Sequence, residues 1–304
     1  MADRPEPFAY DREQHERAVT EWRRARLARL TAPDWWLSLV GRVPLPEGAS
    51  SAGSDADCVI VLPPGRAARH AGTFGREGHI VSFTPAAGAT VLLRSETDER
   101  PLPSGVAVRL GTDRDGPADR LVLGAITMEV TDRESGLFVR VRDPESPARQ
   151  QFAGIEHYPV DPRWRVVARL ERYEPPKTVD LGYEAGTTQQ YTSPGAAVFT
   201  ADGVTHRVEP VLDGDRPRLY LLFRDRTAGD TTYGAGRFLY SALPDGDRVV
   251  LDFNQAFSPP CAYTPHAACP IAPPQNRLAV RIEAGEKSPH DHGQSSAQSS
   301  AQRG

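Results

Sequence analysis

Val249–Asn254 is a short alternating run: Val249, Leu251 and Phe253 go to one face of a strand, and Val250, Asp252 and Asn254 go to the other. A carboxylate and an amide side by side at a strand end can hold a ligand hydroxyl, a water or a metal, and Asp252 can also act as a base. The same two groups can instead bond the backbone of the segment that follows, because its prolines cannot donate and its carbonyls need other partners. Upstream, Thr231-Thr232-Tyr233-Gly234-Ala235-Gly236-Arg237 is a glycine turn that ends in arginine. Consecutive amides in such a turn can form an anion nest, and Arg237 can clamp a carboxylate or phosphate with two parallel hydrogen bonds. It is not a dinucleotide fingerprint, since Leu239 stands where the third glycine would fall and no helix pattern follows. A hairpin turn beside a buried structural arginine is the alternative.

Cys261, His266 and Cys269 raise the question of zinc. Seven residues separate the cysteines, unlike the tight pairs of structural zinc sites. No metal or cofactor is expected, and small buried thiols are. His290-Asp291-His292 lies in the tail and would bind metal only adventitiously. The chain has no Walker loop, no nucleophile elbow, no His-Glu-x-x-His helix and no basic–aromatic run of the RNA-binding kind.

These residues sit in an unusual setting. Phe253–Asn276 has no Asp, Glu, Lys or Arg in a chain that is 25% charged, and it carries six prolines. Such a segment is expected to be a mostly buried crossing that walls a site or seals a core. The whole chain has 304 residues, enough for one large domain or two ordinary ones. Its 28 prolines and 26 glycines favour short elements joined by turns. A net charge of −4 supplies no basic field for nucleic acid. Only Lys177 and Lys287 are lysines, a compositional bias rather than a functional signal. No run is apolar enough to span a bilayer and no secretion signal opens the chain. With three cysteines, a reduced cytoplasmic setting is expected.

The elements read as mainly β: an N-terminal helix followed by two antiparallel sandwich-like or barrel-like units. Asp11–Leu30 is the helix, with Asp11 and Gln14 resembling a capping box and Pro33 beyond the end. Ala18, Val19, Trp22, Ala25 and Leu30 give its apolar stripe, and Arg12, Arg17, Arg23, Arg24, Arg26 and Arg29 read as a solvated face countered by Glu13, Glu16 and Glu21. Strand patterns follow at Cys58–Leu62, His79–Phe83, Thr90–Leu93, Leu121–Val130 and Leu137–Arg142, with a hairpin turn at Gly75–Gly78. Trp164–Leu170 restarts the pattern and Pro175-Pro176 is expected to break it. Further strands are expected at Ala197–Thr200, His206–Val211, Leu219–Arg224, Phe238–Ala242, Val249–Phe253 and Arg277–Glu283, with turns at Asp213-Gly214 and Asp245-Gly246. The divisions are 1–33 for the helix, 34–150 and 151–287 for the β domains, and 288–304 for a disordered tail.

Thr232–Leu239, Leu251–Asn254, Pro259–Thr264, Cys269-Pro270, Asn276–Leu278 and Glu283–Lys287 together resemble one family, the bacterial domain of unknown function 1684. Trp36–Gly41, Arg140–Asp143 and Phe152–Gly154 fit as well. The resemblance brings no activity with it. Position 266 departs from the family pattern, which has an aromatic there, and this weakens His266 as a ligand or base. Gly53-Ser54, Asp57–Leu62 and Arg69-His70 faintly resemble forkhead-associated phosphopeptide-binding domains. That sequence departs from the pattern too, having Gly53-Ser54 for Gly-Arg and no Asn-Gly pair, which implies a similar sandwich without a phosphothreonine site.

Three functions compete. The first is a small-molecule site in the C-terminal half, for an anionic ligand held by Tyr233, Gly236, Arg237, Asn254 and Tyr263, with Asp252 bonding a hydroxyl or acting as base. A binding protein and a hydrolytic enzyme both fit it. The second is a protein-interaction module using the N-terminal sandwich or the arginine-bearing helix. The third is a C-terminal motif that only locks the fold.

Overall fold

The structure, a computed structural model, describes residues 10–114, 116–183, 186–214 and 216–289. The tail expected to be disordered lies outside them from residue 290 onward. Strand accounts for 45% of the described residues and helix for 14%, so the protein is mainly β. Several antiparallel sheets form, and none closes into a barrel among the described residues. Among these residues no helix is long and apolar enough to cross a membrane.

The chain divides into two compact units. One comprises Leu30–Phe152 with Thr264–Ala267. It holds a six-stranded and a five-stranded sheet, all antiparallel except for a short parallel pairing of Gly48–Gly53 with Ile60–Val61. Phe74 and Phe83 from one sheet share an apolar cluster with Met128 and Val139 from the other, which is sandwich packing. The expected turn at Gly75–Gly78 sits further along: Gly72–Glu77 pairs with Ile80–Pro85, leaving Gly78 in the left-handed region at φ +61° to make the bend. Thr264 donates its hydroxyl to the Leu39 carbonyl at 3.0 Å.

The other unit comprises Met1–Arg29, Ala153–Tyr263 and Ala268–Gly304. Its sheets have four strands and three strands. The four-stranded sheet joins Arg165–Gly182 to Thr188–Ala201 on one side and to Arg248–Asp252 on the other. The three-stranded sheet centres on Arg216–Phe223, paired with Val211–Asp213 and Arg237–Ala242. Pro175-Pro176 does not end its strand. Register shifts between Arg172 and Lys177, so both prolines stand where the ladder needs no donor. Trp164, Phe199, Phe223, Leu251, Phe253 and Ile282 form the centre of the core.

The helix Arg12–Leu30 begins as expected, with the Gln14 amide donating to Asp11 Oδ1 at 3.0 Å. Its inward face differs from the expected stripe. Ala18 and Ala25 are exposed, while His15, Val19, Trp22 and Arg26 recur at helical spacing on the covered side. Trp22 packs on Phe257 at 6.2 Å between ring centroids. Arg23 and Arg26 thus leave the solvated face to which their charge assigned them.

Candidate functional site

Asp252 and Asn254 stand where the strand Arg248–Asp252 gives way to the turn Phe253–Gln255. Val249 and Leu251 are buried and Val250 is less so, as the alternation requires. The turn then breaks the alternation and carries Asn254 fully inside. There its side chain mimics a peptide group: Oδ1 accepts from the Asp161 amide at 2.8 Å and Nδ2 donates to the Asp161 carbonyl at 2.9 Å. Asp252 Oδ1 accepts from the Asn254 amide at 3.2 Å and from its Nδ2 at 2.9 Å. Asp252 Oδ2 lies 2.7 Å from His15 Nε2, so this carboxylate ties the N-terminal helix to the sheet. The far ring nitrogen of His15 faces the Tyr10 hydroxyl at 3.4 Å.

Asn276 repeats the device at the other end of the charge-free segment. Its Oδ1 accepts from the Glu209 amide at 2.7 Å, and its Nδ2 donates to the carbonyls of Glu209 and Leu222. Between these two clamps only Pro265, Ile271, Pro274 and Gln275 are exposed.

Gly236 and Arg237 open the strand Arg237–Ala242. Gly236 has φ +104°, and a Cβ there would stand 2.4 Å from the Phe223 carbonyl oxygen, so only glycine fits. Arg237 is 1% exposed. It donates to the carbonyls of Ala284 and Glu286 through one terminal nitrogen, and through the other to the Ile282 carbonyl at 2.8 Å and Asp225 Oδ1 at 3.3 Å. Burial draws its pKa below the ordinary value, and Asp225 opposes that. Asp225 is itself held by the Thr227 hydroxyl and by the Ile282 amide at 2.7 Å. The guanidinium expected to clamp a ligand therefore closes on the protein's own C-terminal segment.

Tyr263 donates to Glu286 Oε2 at 2.9 Å. Glu286, fully buried, also accepts from Arg26 Nε at 2.9 Å and from the Ser258 amide at 2.8 Å. The Arg26 guanidinium carbon lies 4.8 Å from the Phe257 ring centre and 5.7 Å from that of Tyr263. Burial disfavours the Arg26 charge, but Glu286 outweighs it and leaves the pKa raised. Burial first, then Glu286, pushes the Tyr263 hydroxyl well above its usual range. Beside this group, Arg23 donates to the Tyr158 carbonyl at 2.9 Å, and His157 is drawn below the ordinary histidine value by burial and by Arg23.

One segment thus gathers the expected residues. Ile282–Glu286 meets Arg237 through its carbonyls and Tyr263 through the Glu286 carboxylate. At Gly285, φ +79°, a Cβ would stand 2.5 Å from the Ala256 carbonyl oxygen and 2.8 Å from that of Phe253, in the turn holding Asn254. Tyr233 is half-buried in the turn below Arg237, its carbonyl accepting from the Gly236 amide. Asp252 reaches this group only through Asn254 and turns its other oxygen to His15.

The sequence reading missed a concavity along the stretch just before this segment. Arg224–Arg226 and Asn276–Val280 run parallel: the Arg224 amide donates to the Asn276 carbonyl, the Leu278 amide to the Arg224 carbonyl and the Arg226 amide to the Val280 carbonyl. This is a bridge rather than the regular strand expected at Arg277–Glu283. The alternation is nonetheless strict: Leu278, Val280 and Ile282 are buried, while Arg277, Ala279 and Arg281 face out. Arg224, Arg226, Arg277 and Arg281 consequently line one open groove of about 580 Å³, with Asp225. Arg224 Nε is held by the Gly234 carbonyl at 2.9 Å, and Arg281 by Asp230 and Glu283. Arg226 and Arg277 have no acidic partner among the described residues. None of Tyr233, Gly236, Arg237, Asp252, Asn254 and Tyr263 lines this groove. The signal that finds it is the spacing of arginines in Arg224-Asp225-Arg226 and in Arg277–Arg281. Among the described residues no cluster of three His, Cys, Asp or Glu side chains is placed to hold a metal.

Fold and site together describe a mainly β protein whose C-terminal unit is pinned by buried arginine–carboxylate pairs. Residues 150–287 match the family described as Protein of unknown function (DUF1684), and the chain belongs to that family. It is also similar to an uncharacterized protein of Haloarcula marismortui known from a solution NMR structure, at 33% identity over 49% of this chain and 85% of that one, with a TM-score of 0.42. No curated protein matches the chain.

Proposed function

We propose that the C-terminal unit binds a small anionic molecule in the groove lined by Arg224, Arg226, Arg277 and Arg281. The carrying observation is that four arginines line one open concavity and two of them lack an acidic partner among the described residues. Guanidinium forks match carboxylate and phosphate oxygens two at a time. The volume falls within the range of small-molecule clefts. Gly236, packed against Phe223 and Arg224, and Arg237, paired with Asp225, then serve as the frame beside the groove. Arg237 neutralises Asp225, so that its carboxylate does not repel an incoming anion.

The test is thermal unfolding at low salt with inorganic phosphate, pyrophosphate and citrate, on the wild type and on Arg226→Ala/Arg277→Ala. Saturable stabilisation of the wild type alone supports the reading. Equal stabilisation of both proteins overturns it.

A hydrolytic role for Asp252 is a second reading, favoured by its 2.7 Å contact with His15, the relation in which a carboxylate orients an imidazole. It predicts turnover of 4-nitrophenyl esters that Asp252→Asn abolishes at temperatures where the variant remains folded.

A further inference from the structure

Cys261 and Cys269 lie outside every interaction invoked so far. They are not joined by a disulfide, yet the Cys261 amide donates to the Cys269 sulfur at 3.1 Å. That contact places the Cys261 α-carbon within about 4.6 Å of the Cys269 sulfur, since N–Cα is about 1.46 Å. A disulfide requires α-carbons about 4.4–6.8 Å apart, a span this geometry allows. Cys269 is 3% exposed and Cys261 is half-buried, so Cys261 is the more accessible residue of the two. The turn Pro260–Ala262 and the bridge from Pro270 to Tyr183 hold the two ends of the intervening loop. The ordering entropy of bringing two thiols together is therefore met by the fold.

We infer that Cys261 and Cys269 are a reversible dithiol–disulfide pair that exchanges with small-molecule disulfides. The Cys261 thiolate attacks one sulfur of a disulfide oxidant such as oxidised glutathione, forming a mixed disulfide and releasing one thiolate. The Cys269 thiolate then attacks Cys261 Sγ, closing the intramolecular bond and releasing the second thiolate. Two electrons pass from the cysteine sulfurs to the reagent, and the two protons lost by the cysteines go to the two departing thiolates. The Cys261 amide points at the sulfur on which negative charge develops for the second step.

The experiment uses the full chain equilibrated across a series of reduced-to-oxidised glutathione ratios, acid-quenched, alkylated and digested with trypsin. No Lys or Arg lies between Arg248 and Arg277, so one peptide, Val249–Arg277, carries both cysteines. The expected result is that this peptide becomes lighter by two hydrogens and loses both alkylation sites together as the buffer grows oxidising, and that dithiothreitol reverses it. Cys58 gives an internal reference, buried and alone in the other unit. Glutathione adducts on one or both cysteines, alkylation of both at every ratio, or disulfide-linked dimers would overturn the pair. So would an equal closed fraction in guanidinium chloride, because the fold would then contribute nothing. The measurement needs no variant, and Cys58→Ser, which leaves only the pair, should give the same titration midpoint.

Discussion

Arginine meets two opposite environments in the C-terminal half of the chain. Arg237 lies in the core with terminal donors directed at Asp225 and at the carbonyls of Ile282, Ala284 and Glu286. Arg226 and Arg277 instead rim a groove without a carboxylate partner among the described residues. The same side chain is a structural rivet when desolvated and, in the site proposed above, a recognition group when wet. Charge alone does not separate the two. What separates them is how many donors the fold already satisfies, and that decides whether a substitution harms folding or binding.

The contrast breaks most plainly at Arg237. Arg237→Met strands Asp225 without its cation in the core and should lower unfolding stability by about 3–5 kcal/mol in urea. A loss below about 1 kcal/mol would move Arg237 to the recognition class. Glu286→Gln should follow at about 2–3 kcal/mol, because it discharges the acceptor shared by Arg26, Tyr263 and the Ser258 amide. Asn254→Asp replaces the donor facing the Asp161 carbonyl with an acceptor and should cost about 2 kcal/mol, with no change in anion binding.

His157 sharpens the comparison through pH. Its folded pKa lies below the unfolded value, so the unfolded chain binds the proton more tightly. Its contribution is complete above the ordinary histidine pKa of about 6.5 and is lost as pH falls through the folded value. His157→Gln should therefore flatten the fall in stability between about pH 7 and pH 5, measured by urea titration at each pH. An unchanged slope would show that other groups set it. The smallest stability effect belongs to the groove: Arg226→Ala/Arg277→Ala should stay within about 0.5 kcal/mol of wild type without ligand. A larger loss would mean that the groove arginines are structural as well.

Much of this was legible in the residues. Asp11 caps the helix because a carboxylate before a helical run accepts its first amides, and Asp245-Gly246 makes the turn that aspartate–glycine pairs favour. The burial of the Phe253–Asn276 stretch follows from its lack of charge. The site was half legible. Residue types identified Asp252, Asn254, Arg237 and Tyr263 as polar groups with work to do, but not their partners, because those come from far away in sequence. His15 did not enter the sequence reading, because nothing local to it announces Asp252. Arg26 was hidden among neighbouring arginines, since helical spacing alone does not tell which charge finds a buried carboxylate. Arg277–Glu283 read as an ordinary strand, and the significance of its arginines emerged only when Arg224–Arg226 was laid beside it.

The pairing of Arg26 with Glu286, 260 positions apart, constrains the order of assembly. During synthesis the unit spanning Leu30–Phe152 has all but four of its residues long before Glu286 is made. The N-terminal helix must wait for its carboxylate through most of translation, and Arg237 waits as well for the carbonyls that surround it. A ribosome stalled before Ala284 should therefore display one unit complete but for its last four residues and a helix still open to proteases, with the closing of the second unit timed by the last stretch of chain to emerge.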